Sequence, residues 1–209
     1  MGTKEKAGAL LVDLDGVLRR WDPAVAAGIE ERHGLEPGAL LRAAMDPSLV
    51  RPAVTGRIDH EGWMAMVVDA LAGQGADAAA ARAAVDEWAA YRGEVDRDAL
   101  AFVREVRSAG LPVGIATNAT DWLDADLAML GLTDEVDIVV NSSALGLPKP
   151  AREFFAAACA ALGVPPSKVL FVDDSDRCVR GARVAGLLAY RWNGPDDLRY
   201  LRAALDVGG

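Results

Sequence analysis

Asp13 and Asp15 stand on either side of Leu14 at the end of a short apolar run, residues 8–14. In an extended segment residues i and i+2 project the same way, so both carboxylates can face one cleft. A pair placed like this suits a nucleophile beside a general acid/base. Gly16 follows, allowing a sharp turn that brings backbone amides near a bound anion. Taken alone, the pattern also fits two solvated acids before a turn glycine. A second apolar run, residues 168–172, ends in Asp173-Asp174-Ser175-Asp176, so two strands deliver acids to one rim. Any of Asp173, Asp174 and Asp176 could simply cap or start the next helix, Asp176 most easily. Several close acids still call for a counter-cation. Oxygen donors with no His or Cys in the strand-end cluster favour Mg²⁺.

Two further groups end or begin elements in the same way. Thr117-Asn118 closes the run 112–116 with a hydroxyl, an amide and backbone donors just before a helical pattern, where phosphate oxygens could be held. Ordinary helix capping is the plainer use of the same residues. Lys149 lies between Pro148 and Pro150 ahead of a helix starting near residue 151, a restrained position from which an ammonium could stabilise phosphoryl charge. A solvated surface lysine is the commoner fate of such a residue.

Positioning these residues requires strands that end together. Apolar runs recur at 8–14, 112–117, 136–140, 168–172 and 188–192, and helical patterns lie between them at 98–109, 121–130, 151–162 and 176–185, with another at 196–205. Gly110, Gly131, Gly163 and Gly186 follow four of these helices, where a C-cap belongs. Alternation of this kind predicts an α/β fold, a doubly wound, Rossmann-like parallel sheet with ligands bound at the carboxyl ends of its strands. Between Trp21 and about Val95 the alternation stops. That interval has no convincing strand, only helical patterns at 23–33, 37–45, 59–71 and 78–92, and reads as a helical insert. The division is residues 1–20 and 96–209 for the core and 21–95 for the insert.

Composition narrows the class. The chain has 209 residues, 52% of them hydrophobic, enough for one core and a smaller subdomain, and no apolar run of membrane-spanning length. A net charge of −9 argues against nucleic acid or anionic membrane as partner. Cys159 and Cys178 are too few for a disulfide framework, and His33 and His60 alone do not suggest a zinc site. Residues 1–7 are short and polar without a signal-peptide core behind them, so cytoplasmic residence is the expectation.

Asp13-Leu14-Asp15-Gly16-Val17, Thr117-Asn118, Lys149-Pro150 and Asp173-Asp174, in that order, resemble the four motifs of the haloacid dehalogenase superfamily. The resemblance runs the length of the core, and the helical insert is similar to that family's mobile α-helical cap. It implies a hydrolase, a phosphatase of small phosphate esters working through an aspartyl-phosphate. Asp13 would attack phosphorus, Asp15 would exchange protons with the leaving oxygen and with water, and Lys149 would steady Asp13 and the transferring charge. Thr117 would bind the phosphoryl group, with Asn118 and Gly16 beside it. Mg²⁺ would be held by Asp13, Asp174 and the backbone carbonyl of Asp15, with Asp173 a second choice. Dehalogenases similar to this chain lack the acid at Asp15, and residues 21–95 contain no lysine for a Schiff base, so carbon–halogen and phosphonate cleavage are disfavoured. A phosphotransferase or mutase, or a non-catalytic phosphate-binding relative, are the alternatives.

One position departs from the family pattern. Cys178 stands four residues after Asp174, where many relatives carry Asp or Asn, and a thiol is a poor magnesium ligand. Weaker support around the metal's ligands or compensation by Asp176 or Ser175 is expected, not loss of activity, with Cys178 itself a small buried residue. Substrate selection falls to the insert and the stretch after Asp15: Arg19, Arg20, Trp21, Arg51, Arg57, His60 and Trp63, each equally at home on a surface or in the insert's core. Arg20 is chosen as substrate-binding residue for its nearness to Asp13 in the chain. Trp88 and Trp122 are expected to be packing residues.

Overall fold

Leu10 and Val12 turn their side chains to one side of a strand and Ala9 and Leu11 to the other, and all four are buried, so the strand carrying them must be covered on both faces. In the computed structural model, which describes residues 6–208, that strand is β1 (Ala9–Val12) at the centre of a five-stranded parallel sheet. Part of the polar opening stretch, residues 1–5, and Gly209 lie outside the described residues. After β1 come β2 (Arg19–Arg20), α1 (Pro23–Arg32), α2 (Ala39–Ala44), α3 (Pro47–Val54), α4 (His60–Gly73), α5 (Ala78–Ala90) and β3 (Glu94–Val95). The chain continues through α6 (Arg97–Ser108), β4 (Val113–Thr117), α7 (Leu123–Met129), β5 (Ile138–Asn141), α8 (Ser142–Leu145) and α9 (Arg152–Leu162). It ends with β6 (Val169–Asp173), α10 (Asp176–Val184), β7 (Leu188–Arg191) and α11 (Leu198–Leu205).

The strand order is β5-β4-β1-β6-β7. From β1 the chain builds two strands on one side, then returns to build two on the other, so β1 lies between β4 and β6 with Leu10 opposite Val113 and Leu170. One face packs Leu10, Val12 and Ile115 against Phe102, Leu123 and Leu201 from α6, α7 and α11. The other packs Leu11 and Phe171 against Phe154 and Phe155 of α9 and Ala182 of α10. Among the described residues no helix is long and apolar enough to cross a membrane.

Helices α1 to α5 surround a separate apolar cluster that includes Ile29, Leu40, Trp63, Val67, Leu71 and Trp88. Aspartates open four of them: Asp22, Asp46, Asp59 and Asp77 each accept a hydrogen bond from a backbone amide in the first turn, which satisfies donors that have no partner in the helix itself.

The structure departs from the sequence pattern in three local places. Helix α3 is not foreshadowed, because Pro52 inside it breaks the usual pattern, although Asp46-Pro47 is a cap followed by proline at the first helical position. A small antiparallel ribbon, Arg19 opposite Val95 and Arg20 opposite Glu94, joins the two ends of the helical region where no strand is expected. Helix α8, four residues long, also goes unread. Strands and helices this short carry no periodicity.

Candidate active site

Asp13 sits one residue beyond β1, its amide still donating to the Val172 carbonyl of β6 at 2.9 Å. One carboxylate oxygen, Oδ1, accepts from the Leu14 amide at 2.8 Å, and the other, Oδ2, lies 2.8 Å from Lys149 Nζ. Lys149 Nζ also donates to Asp173 Oδ2 at 2.7 Å, while Asp173 Oδ1 accepts from the Ser175 amide at 2.8 Å. All three side chains are buried, Asp173 completely. Burial pushes the Asp13 carboxyl up, Lys149 pulls it back and Asp173 pushes it further, to about 7. Burial alone would lower Lys149, but Asp13 and Asp173 together override it and hold the ammonium at about 12.

Asp174 completes the group at the rim. One oxygen each from Asp13, Asp173 and Asp174 lie within 4.8 Å of one another. Partial burial and then Asp173 push the Asp174 carboxyl up, against the pull of Lys149. Gly16, at φ +79°, sits under this carboxylate: a Cβ there would stand 2.5 Å from the Asp174 carboxyl carbon. Three carboxylates against one ammonium leave two negative charges unmatched, and every donor is a hard oxygen. Those features fit a divalent cation such as Mg²⁺. Both Asp173 oxygens already accept hydrogen bonds, which makes Asp174 the freer ligand of the pair.

Thr117 is buried at the end of β4, beside β1. The Asn118 side chain clamps the Lys149 backbone: its Oδ1 accepts from the Lys149 amide at 2.7 Å and its Nδ2 donates to the Lys149 carbonyl at 3.1 Å, which leaves one Nδ2 hydrogen uncommitted. The Lys149–Pro150 peptide is cis. Helix α10 approaches this turn closely enough that a Cβ on Gly181 would clash with Pro150, 3.0 Å from its carbonyl oxygen.

Asp15 is not in extended continuation of β1, because the chain turns at Leu14, whose carbonyl accepts from the Val17 and Arg19 amides. Its charge still reaches Asp13 and Asp174, raising both. The carboxylate accepts from Arg19 Nε at 2.7 Å and Nη2 at 3.0 Å, and from Trp21 Nε1 at 2.6 Å. Arg20, predicted as the substrate residue, is not brought to the acids. Alternation along β2 sends Arg19 inward and Arg20 outward, where it is exposed and lies 3.4 Å from Asp96, the cap of α6.

Cys178 is a buried thiol, which burial pushes up to about 11. The expected compensation by Asp176 is not found, since its carboxylate turns to Arg180 at 3.0 Å, one helical turn on. Trp122 is not a simple packing residue: it is partly exposed, stacked on His60 with ring centroids 4.3 Å apart and under the Arg92 guanidinium at 4.7 Å. Asp126 binds Arg19 on the side away from Asp15 and pairs with Arg92, and no sequence feature marks either of these two. Only the Asp15–Arg19 spacing is a local signal, since Arg92 and Asp126 arrive from distant segments.

Residues 8–186 match the family model of haloacid dehalogenase-like hydrolases, and the chain belongs to that family. It is 40% identical over 95 residues to phosphatase MT3486 of Mycobacterium tuberculosis, an alignment that spans 44% of each chain, so the chain covers less than half of that relative. Over 188 residues it is 28% identical to validoxylamine A 7'-phosphate phosphatase of Streptomyces hygroscopicus subsp. limoneus, covering 85% of this chain and 81% of that one. Its fold matches the HAD family enzyme bt-2542 of Bacteroides thetaiotaomicron, solved in complex with magnesium and inorganic phosphate, with a TM-score of 0.72 at 18% identity over 93% of this chain and 98% of that one.

Proposed function

We propose that this chain is a magnesium-dependent phosphatase of a small phosphorylated metabolite, working through a phosphoryl group carried transiently on Asp13. The observation that carries this is the buried Lys149 shared between Asp13 and Asp173, with Asp174 open beside them at the carboxyl ends of the central strands. Phosphatase relatives, one of them aligned over most of both chains, support the same reading.

Asp13 attacks phosphorus, forming an O–P bond as the ester oxygen leaves with its electron pair and takes a proton from Asp15. Water then attacks the phosphorus of the acyl phosphate and gives its proton to Asp15, releasing inorganic phosphate and restoring both carboxyl groups. Lys149 opposes the effect of burial on Asp13, favouring its ionised form, and stabilises charge on the equatorial oxygens. Thr117 and the backbone amides after Asp13 hold those oxygens. Asp13, Asp174 and the Asp15 carbonyl would hold Mg²⁺, which when bound offsets the repulsion between the anionic nucleophile and an anionic phosphate. Residues 21–95 are proposed to cover the site, since Ser142 Oγ donates to the Val54 carbonyl at 2.6 Å and the His60 amide to Asp121 at 2.7 Å across the seam.

Release of inorganic phosphate from an aryl phosphate tests the reading. It should require Mg²⁺, vanish in chelator and vanish in Asp13→Asn. Phosphate appearing chiefly on added alcohols or sugars would point to a phosphotransferase instead, and a wild-type protein inert toward a broad panel of phosphate esters would overturn the proposal.

A further inference from the structure

Beside the acidic group lies a second buried array of charge that the reaction as written does not use. Arg19 is only 4% exposed, and its guanidinium makes three hydrogen bonds to two carboxylates. Nε and Nη2 grip the Asp15 carboxylate as a fork, and Nη1 donates to Asp126 Oδ2 on α7 at 2.8 Å. The Trp21 ring lies under the guanidinium at 4.6 Å while its Nε1 donates to the same Asp15 carboxylate. Asp126 is itself buried and faces Arg92 Nε at 3.2 Å, so the charges alternate from Asp15 through Arg19 and Asp126 to Arg92.

Geometry distinguishes this from an incidental ion pair. A planar guanidinium bound at two points fixes the plane of a carboxylate, which a lysine ammonium cannot do. The Asp15 side chain is itself 40% exposed and follows a turn, so nothing in its backbone fixes its rotamer as firmly as that fork. Arg19 can hold it because Asp126 holds Arg19 from the far side. Resting on the phosphatase reading above, we propose that Arg19, anchored by Asp126, is the positioning residue for Asp15, setting the orientation in which that carboxylate exchanges protons with the leaving oxygen and with water.

Phosphate release from an aryl phosphate, measured for wild type, Arg19→Met, Arg19→Lys, Asp126→Asn, Asp15→Asn and the double variant Asp15→Asn/Arg19→Met, tests this. Misplacing a catalytic group by about 1 Å can cost on the order of 100-fold in rate. Arg19→Met should therefore lower kcat by roughly 10- to 100-fold with KM changed less than about twofold. Arg19→Lys should recover little because it keeps the charge but loses the fork, and Asp126→Asn should show a smaller loss of the same kind. In the double variant the Arg19 substitution should add nothing to the loss caused by Asp15→Asn. Thermal unfolding and the magnesium-induced shift in Tm, measured alongside, separate misfolding from misplacement. If Arg19→Met fails to fold, the kcat of Arg19→Lys and Asp126→Asn decides. Full activity in Arg19→Lys, or an Arg19 effect that multiplies with that of Asp15→Asn, overturns the inference alone. A wild type without magnesium-dependent turnover overturns the phosphatase reading and this inference with it.

Discussion

Lys149→Met removes the ammonium between Asp13 and Asp173 while keeping most of the aliphatic stem. The pocket raises Lys149 from 10.5 to about 12, and at about 1.4 kcal/mol per pH unit that is a preference for the charged form of about 2 kcal/mol. Losing it also leaves two buried carboxylates facing each other, and breaking a buried ion pair from one side costs about 3–5 kcal/mol. The protein can escape part of that cost by protonating Asp13, whose carboxyl already stands at about 7 against an ordinary 3.8. A carboxyl raised on folding contributes stability that is full below its unfolded value and is lost as pH rises through its folded value. In wild type this Asp13 contribution is therefore present below about pH 4 and lost by about pH 7, and without Lys149 the upper limit moves higher. Urea unfolding of wild type and Lys149→Met at pH 5 and pH 8.5, with and without Mg²⁺, should show a deficit of about 3–5 kcal/mol at pH 8.5 without metal, a smaller one at pH 5 and partial recovery with Mg²⁺. Phosphate release should fall by about 10²–10³-fold. An equal deficit at both pH values, or none at pH 8.5, would refute Lys149 as the neutralising group.

Two other substitutions probe the site from opposite sides. Gly16→Ala forces a left-handed φ on alanine, a strain of about 1–2 kcal/mol, and its Cβ would overlap the Asp174 carboxylate, Oδ2 most closely, so that carboxylate must move. The Tm response to Mg²⁺ should weaken far more than the metal-free Tm falls, and an unchanged magnesium response would remove Asp174 from the cation site. His60→Gln tests the seam: burial first and Arg92 second pull the His60 imidazole below its ordinary 6.5. A base depressed on folding contributes stability that is present above its unfolded pKa and lost as pH falls below it, so wild type should weaken on acidification from about pH 6.5 and His60→Gln should weaken less. Identical pH slopes in denaturant unfolding would show that His60 does not control this loss.

The three central strands and the acids at their ends are legible because β1, β4 and β6 are buried on both faces, which leaves unbroken apolar runs that stop where the site begins. Helix ends are legible for a similar reason, as at Gly163, which takes the left-handed conformation at the end of α9. What escapes the sequence depends on groups meeting through space. Asn118 could be read as a phosphate donor or a cap, but its amide faces Lys149, 31 residues on, and only the fold brings them together. Nearness to Asp13 in the chain does not single out Arg20 against Arg19, and the turn at Leu14 and a two-residue strand decide which one points inward. Asp126 and Arg92 carry no local signature, since an acid on a helix and an arginine after one are most often solvated.

The arrangement gives the two aspartates of the first motif separate counter-ions. Asp13 shares Lys149 with Asp173 inside the sheet's end, while Asp15 shares Arg19 with Asp126 on the side toward α7. In the reaction proposed for this chain Asp13 must be ionised when it attacks and Asp15 must change its proton during the same cycle, so one shared cation would tie the two states together. Separate counter-ions place carboxylates two residues apart in different surroundings, as the proposed division of roles between them requires. The separation follows from the turn at Leu14: a chain that stayed extended through Asp15 would project both side chains toward Lys149, and Arg19 could not then reach the second of them.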